Sequence, residues 1–362
     1  MPSDLSEYTT LRVGGPARLL VEEADDLVGT MRDVWASGEP WLVLGGGSNV
    51  VIGDDGFDGT VVLVKTQGIT DVVADDRVTV RVQAGESWDA FVETAVRNGW
   101  AGIEGLSGIP GSCGAAPIQN IGAYGQELAA SLIGIEFLDF LSEDLVYLTA
   151  AELDLGYRTS VLKHGREGVV VSIVLSLALA PDGLSEPIAY DQLAQALNVP
   201  VGTRMPLADV RTAVLALRAS KGMVLDPADP DSVSAGSFFT NPIVGENFAR
   251  TLPEAAPRWP MEAEPDDQVV ELGEEPALPP ERSDHRVKLS AAWLIERAGV
   301  GKGFSLPGSK AAVSSKHTLA IVNTGGATAA EITELGRFIQ TRVFSEFGVR
   351  LQAEPNLVGV SL

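Results

Sequence analysis

The sequence predicts a mixed fold of the α/β or α+β class, and three observations predict it. Short β-branched runs recur through the first half, separated by glycine-rich turns. Segments with apolar residues at helical spacing lie between some of them. The chain has 362 residues, of which 45% are apolar and 21% charged. That is enough for a sizeable buried core and, at about 100–200 residues per domain, for two domains or three.

The expected strands of the first half are 17–23 (ARLLVEE), 40–45 (PWLVLG), 60–65 (TVVLVK), 77–85 (RVTVRVQAG), 134–140 (GIEFLDF) and 169–179 (VVVSIVLSLAL). A helix is expected over 24–36, where Leu27, Met31 and Trp35 share a face, and another over 87–99, with Ser87 as N-cap and Gly99 as stop. The second half begins near Ser185. Helices are expected over 208–222, over 288–299 with Gly299 as C-cap, and over 326–348, where Thr328 and Glu331 form a capping-box pattern and Gly348 ends the run. The acidic, proline-rich stretch 261–285 reads as a solvated loop.

The formal net charge of −23 argues against general nucleic-acid binding and against docking on anionic membranes, both of which need a positive field. One cysteine, Cys113, excludes an internal disulfide framework and a multi-thiolate metal site, and three histidines argue against a His-rich metal centre, so no metal is expected. The longest nearly apolar run, 169–180, is short of the roughly 20 residues needed to span a bilayer and reads as a buried strand. No apolar leader follows the start, which places the protein in the cytoplasm.

Two glycine clusters stand out. LGGGSNVV (44–51) follows a strand and sets Gly45, Gly46 and Gly47 before Ser48 and Asn49. Glycine lets backbone N–H groups approach an anion with no Cβ in the way, and a diphosphate fits such a nest; a glycine-rich hairpin turn would also explain it. GLSGIPGSCGAAPIQNIGAYGQEL (105–128) is nearly uncharged and carries six glycines, too many for a regular element. It suits wrapping a large flat cofactor, or an Ω-loop. Neither is a Walker motif, and no GxGxxG strand–turn–helix unit is present. Three polar segments follow. YRTSVLK (157–163) carries Arg158, a residue type suited to holding a carboxylate bidentately, and Lys163. SAGSFFTNP (234–242) holds Ser237 between Gly236 and Phe238 without a GxSxG elbow. AEPNLVG (353–359) carries Glu354, which spacing alone would not single out.

Together and in this order, TTLRVGGPA (9–17), both glycine clusters, YRTSVLK, AGSFFTNP, KLSAAWLIERAG and AEPNLVG resemble the UDP-N-acetylenolpyruvoylglucosamine reductase (UDP-N-acetylmuramate dehydrogenase) family over residues 8 to 360. The resemblance implies an α+β chain with an FAD-binding region of the PCMH, or vanillyl-alcohol-oxidase, type in residues 1–205 (two α/β lobes, about 1–66 and 67–205), then a smaller α/β substrate-binding domain in 206–362. It implies reduction of the enolpyruvyl ether of UDP-N-acetylglucosamine to UDP-N-acetylmuramate for peptidoglycan, with non-covalent FAD and NADPH, in a monomer. The family's catalytic arginine, serine and glutamate fall on Arg158, Ser237 and Glu354. Cofactor contacts fall on Gly45, Gly46, Gly47, Ser48, Asn49, Ser107, Gly108, Ile109, Pro110, Gly111, Gly114, Ala115, Gln119, Ile121, Gly122, Ala123, Tyr124 and Arg218. Substrate contacts fall on Tyr157, Tyr190, Lys221, Asn241, Lys288, Lys302 and His317, with Tyr190 covering the bound sugar nucleotide.

The chain departs from the family pattern at Thr240, where many members carry Lys, and at Leu162, where Phe is usual; the acidic stretch is also longer. Two other readings remain at this level. One is an FAD-dependent oxidase or dehydrogenase of the same cofactor fold, although no His before position 164 is present to tether flavin and Cys113 lies inside a tight glycine loop. The other is a non-catalytic nucleotide-sugar binding protein.

Overall fold

The computed structural model describes residues 3–261 and 286–362, so the acidic stretch, Met261 apart, lies outside the described residues. The first lobe is a four-stranded sheet in the order Ser3–Asp4, Pro16–Glu23, Phe57–Val64, Trp41–Leu44. The strands Pro16–Glu23 and Trp41–Leu44 both run parallel to Phe57–Val64, and helix Leu27–Ala36 connects them. Its buried residues are Leu27, Met31 and Trp35, and Asp26 caps its start by accepting from the Gly29 N–H. The central strand is buried from Gly59 to Val64, in keeping with its β-branched run Thr60–Val64.

The second lobe is a six-stranded antiparallel sheet in the order Leu145–Thr149, Leu132–Asp139, Gly168–Leu179, Arg77–Gln83, Ile69–Ala74, with Trp100–Ala101 pairing the far end of Gly168–Leu179. Val78, Val80 and Val82 point inward while their neighbours face out, the period-two pattern of a half-buried strand. They pack with Trp88, Phe91 and Val92 of helix Trp88–Arg97, whose N-cap is Ser87 as expected. The edge strands Ile69–Ala74 and Leu145–Thr149 went unread in the sequence because their side chains are mostly exposed and carry no buried pattern.

The C-terminal part builds on a three-stranded sheet in the order Ser234–Ser237, Ala320–Asn323, Ala311–Val313, with helices Ala291–Arg297 and Ala329–Phe347. The helix expected over 288–299 begins at Ala291. Ser290 caps it by accepting from the Trp293 N–H, and Lys288 and Leu289 belong to strand Arg286–Leu289 instead. The long helix carries both halves of its capping box and ends at Gly348 with φ +69°. Helix Leu207–Ala219 packs through Val210 and Val214 against Ile188 and Leu193, and through Leu207 against Ala101 and Ala180. The division expected at 205/206 therefore cuts through packed side chains.

The parts are interlocked. Leu11, Val13 and Val51 of the first lobe sit in the C-terminal core beside Phe238, Phe239 and Leu351. Strand Asn356–Val358 runs parallel to Val50–Ile52. Asp54 reaches the start of the last helix, where its carboxylate accepts from Ala329 N at 2.7 Å and Ala330 N at 2.9 Å. An anion there satisfies orphan donors and faces the positive end of the helix dipole. Asp54→Ala is expected to destabilise the fold by about 1 kcal/mol, read as a lower denaturant midpoint at unchanged slope.

Candidate active site

The two glycine clusters lie side by side along one cleft, whose lining also takes Ala235, Ser237 and Glu354 of the C-terminal part. They meet directly. A Cβ on Gly46 would stand 2.7 Å from the Gly111 Cα, and one on Gly45 would collide with the Ser112 hydroxyl. Gly47 has φ +59° and lies against the Tyr8 carbonyl. The glycines are thus required by loop-to-loop contact as much as by a ligand. The Ser48 hydroxyl donates to the Pro110 carbonyl at 2.9 Å, and the Asn49 amide donates to Gln119 Oε1 at 2.8 Å. These two side chains, expected among the cofactor contacts, are hydrogen-bonded within the protein. The backbone N–H groups of Gly46, Gly47, Ser48, Ile109, Gly111 and Ser112 donate to no acceptor among the described residues. Gly47 and Ser112 are buried, and a buried N–H with no partner among the described residues calls for an acceptor from outside the chain.

Across the cleft, the segments bearing Gln119 and Arg158 converge on the Glu354 carboxyl. Arg158 Nε stands 3.2 Å from Glu354 Oε1, and Gln119 Nε2 donates to the same oxygen at 3.2 Å. The Arg158 guanidinium also donates to the Gly122 carbonyl at 2.7 Å and to the Asn120 carbonyl at 3.4 Å. Arg158 holds φ +55°, Asn120 +46° and Tyr124 +50°. Non-glycine residues in the left-handed region cost of order 1 kcal/mol or more and persist where surroundings fix them. The Tyr157 ring is flanked by two cations, with the Arg158 guanidinium 5.3 Å and the Lys288 ammonium 4.8 Å from its centroid.

Glu354 is 14% exposed as a side chain. Burial pushes its pKa up, against the pull of Arg158, Lys163 and the Gln119 hydrogen bond, so it keeps a proton to higher pH than an ordinary glutamate. Ser237 lines the same cleft. A bulge between Ser234 and Ser237, with Gly236 at φ +75°, turns it there. Its hydroxyl makes no hydrogen bond among the described residues.

A cationic group stands at one end. The Arg218 Nη2 donates to the Met223 carbonyl at 2.8 Å, while its buried Nε has no partner among the described residues. Lys221 donates to Gln192 Oε1 at 2.9 Å and lies 5.6 Å from the Tyr124 ring, which meets Tyr190 edge-on at 5.7 Å. His317 has its pKa lowered to about 4 by burial and by the neighbouring charges of Lys221, Lys302 and Arg218, so it is neutral at pH 7. Lys302 is exposed.

Of the expected residues, the cleft takes Gly45, Gly46, Gly47, Ser48, Asn49, Ile109, Pro110, Gly111, Ala115, Gln119, Ile121, Gly122, Arg158, Arg218, Ser237 and Glu354 as its lining. Others lie elsewhere. Ser107 is fully buried, with its hydroxyl on the Glu104 carbonyl, and Gly108 donates its N–H to Asp89. Gly114 packs on Ala84 and lines an adjoining cavity with Ala115, and Tyr124 lines a separate cavity beneath the Tyr190 segment. Asn241 spends its side-chain oxygen on the Ala291 N–H at the start of a helix. Cys113 is buried, which pushes its thiol pKa well up. Sequence reading missed Ser112, Met223 and Asn356 as lining residues. Asn356 follows Glu354 by two positions and was within reach of the motif; Met223 carries no signal of its own.

Residues 227–358 match the family description "UDP-N-acetylenolpyruvoylglucosamine reductase, C-terminal domain", and residues 16–143 match "FAD binding domain". The chain is 58% identical to the UDP-N-acetylenolpyruvoylglucosamine reductase of Leifsonia xyli, covering 100% of this chain and 99% of that protein. It is 48% identical to the reductase of Thermobifida fusca, over 99% and 97% of the two chains. The crystal structure of the reductase from Thermus caldophilus superposes with a TM-score of 0.64 at 26% identity, covering 99% of this chain and 98% of that one. With an α+β fold, an FAD-binding region and relatives matched end to end, the chain belongs to the UDP-N-acetylenolpyruvoylglucosamine reductase family.

Proposed function

We propose that Arg158, Glu354 and Ser237 carry this chain's reaction, the reduction of the enolpyruvyl ether of UDP-N-acetylglucosamine to UDP-N-acetylmuramate for peptidoglycan synthesis with FAD and NADPH. The observation that carries this reading is the meeting of an arginine, a buried carboxyl and a free serine hydroxyl in one cleft, beside a row of unpaired backbone N–H groups. The unpaired N–H groups and the orphan Arg218 Nε fit the diphosphate and polar edges of FAD. Bound FAD supplies a two-electron carrier that takes hydride from NADPH and passes it to the double bond.

The residues act as follows. Hydride arriving at the vinyl carbon remote from the carboxylate leaves negative charge that spreads onto the carboxylate oxygens. The Arg158 guanidinium, fixed by the carbonyls of Asn120 and Gly122, stabilises that charge without reorganising. An ionised Glu354 would repel the substrate carboxylate and would occupy Arg158. Its raised pKa supports a protonated partner instead. Ser237 gives a proton to the carbon beside the carboxylate, a transfer a neutral hydroxyl can make only to so strong a base.

Lys221, Lys302 and His317, with Tyr157, Asn241 and Lys288, form the proposed sugar-nucleotide side, and Tyr190 covers it. The junction between the FAD-binding region and the substrate-binding part is proposed to follow helix Leu207–Ala219. No helix among the described residues is long and apolar enough to cross a membrane. The protein is proposed to act as a cytoplasmic monomer. The deciding experiment is anaerobic: flavin reduced by NADPH is mixed with UDP-N-acetylenolpyruvoylglucosamine, and reoxidation is followed. No reoxidation would remove this reading.

Three outcomes are expected. Ser237→Ala keeps flavin and its reduction by NADPH but slows substrate-driven reoxidation about 10²–10⁴-fold, measured in separate half-reactions. Gly46→Ala drives a methyl into Gly111 and lowers flavin content on purification, read from the ratio of flavin to protein absorbance. The third concerns pH. The folded state holds the Glu354 proton more tightly than the unfolded chain does, so the group ionises on the alkaline side of the ordinary glutamate value. Reoxidation is expected to fall as pH rises through that ionisation, and Glu354→Gln, neutral throughout, is expected to lack that limb.

A further inference from the structure

The motif YRTSVLK ends in a lysine that the proposed reaction leaves without a task. Its surroundings give it one. The Lys163 ammonium donates to the Glu354 backbone carbonyl at 3.1 Å and to Asn356 Oδ1 at 2.6 Å. The Glu354 segment is held from the other side by Glu354 N donating to the Phe238 carbonyl and by Asn356 N donating to the Asn49 carbonyl, at 3.0 and 2.9 Å. The lysine itself is aimed by Ser160. That hydroxyl, fully buried, donates to the Ile118 carbonyl at 2.6 Å and accepts from Leu162 N at 3.1 Å and Lys163 N at 3.2 Å. The turn therefore hangs from the second glycine cluster, whose Gly122 and Asn120 carbonyls also hold Arg158.

We propose that Lys163 is a positioning residue: it ties the segment bearing Glu354 to the short segment bearing Arg158, and so sets the distance between those two groups. The proposal rests on the reading that Arg158 and Glu354 act in the reduction. A lysine suits the task because one ammonium serves two acceptors on one strand end while its stem runs between the lobes. A misplacement of about 1 Å at a reacting group costs on the order of 10²-fold in rate.

Its charge gives the proposal a signature that a passive strut would lack. The groups facing the Glu354 carboxyl are Arg158 and Lys163, both cationic, the neutral amide of Gln119, and the nearby Tyr157 phenol. Lys163 favours the ionised carboxylate. Without it, Glu354 holds its proton to still higher pH.

The test uses the full-length, flavin-loaded protein and stopped-flow half-reactions over a pH series. Lys163→Met is expected to keep its flavin and its reduction by NADPH. Reoxidation by UDP-N-acetylenolpyruvoylglucosamine should slow about 10- to 100-fold, with its alkaline limb moved to higher pH. Lys163→Gln keeps a hydrogen-bond donor and drops the charge, so its limb should move likewise with a smaller loss of rate; it decides the matter if the methionine variant does not fold. Wild-type reoxidation rates in either folded variant, or a slowed variant whose limb has not moved, would overturn the proposal. If the wild-type protein itself is not reoxidised, the underlying reading has failed and takes the proposal with it, which the wild-type trace alone reveals.

Discussion

A guanidinium and a carboxyl buried side by side govern this cleft. Removing charges from water costs several kcal/mol for each ion, and the attraction between them repays it only when the remaining hydrogen-bonding positions are filled. Here they are filled from every side. Arg158 spends its other nitrogens on the carbonyls of Asn120 and Gly122, and Glu354 accepts from Gln119, which accepts in turn from Asn49. Gln119, Asn120 and Gly122 come from one stretch of the second lobe, Asn49 from the first lobe and Glu354 from the C-terminal part, so the arrangement is complete only when all three are in place. The same burial that makes the pair costly shifts Glu354 toward holding its proton to higher pH than an ordinary glutamate.

The glycines serve two surfaces at once. Gly45 and Gly46 touch the opposing ribbon at Ser112 and Gly111, and the backbone N–H groups beside them have no partner among the described residues. Close approach of the two ribbons brings those donors into one row, and the side chains expected to bind, Ser48 and Asn49, are what lace the ribbons together. Ser48 and Asn49 thus spend their side-chain donors on the stapling, while the backbone N–H groups of the loop stay free of partners among the described residues.

The sequence made legible what depends on local pattern. Buried strands such as Phe57–Val64 and Gly168–Leu179 announce themselves by β-branched, nearly apolar stretches, and the last helix by its capping box and closing glycine. Exposed edge strands do not, because little of their surface is buried. The start of helix Ala291–Arg297 was misplaced because a strand leading straight into a serine cap reads as helix on apolar spacing alone. The candidate site was legible only as an ordered set of motifs. Glu354 looks like any solvated glutamate until packing removes its water, and Ser107 looks like part of the cradle until its hydroxyl is seen on the Glu104 carbonyl. Met223 enters through the local turn after helix Leu207–Ala219 that Arg218 closes, and its residue type carries no signal of the cleft.

Leu11, Val13 and Val51 are synthesised early, yet they complete a core built otherwise from residue 235 onward. During translation these apolar side chains have no partners until most of the polypeptide has left the ribosome. The seam these side chains form can close only after the segments from residue 235 onward, which supply its other side, have been made. A ribosome that stalls late would release a product unable to seal that seam, a natural substrate for chaperones or proteases.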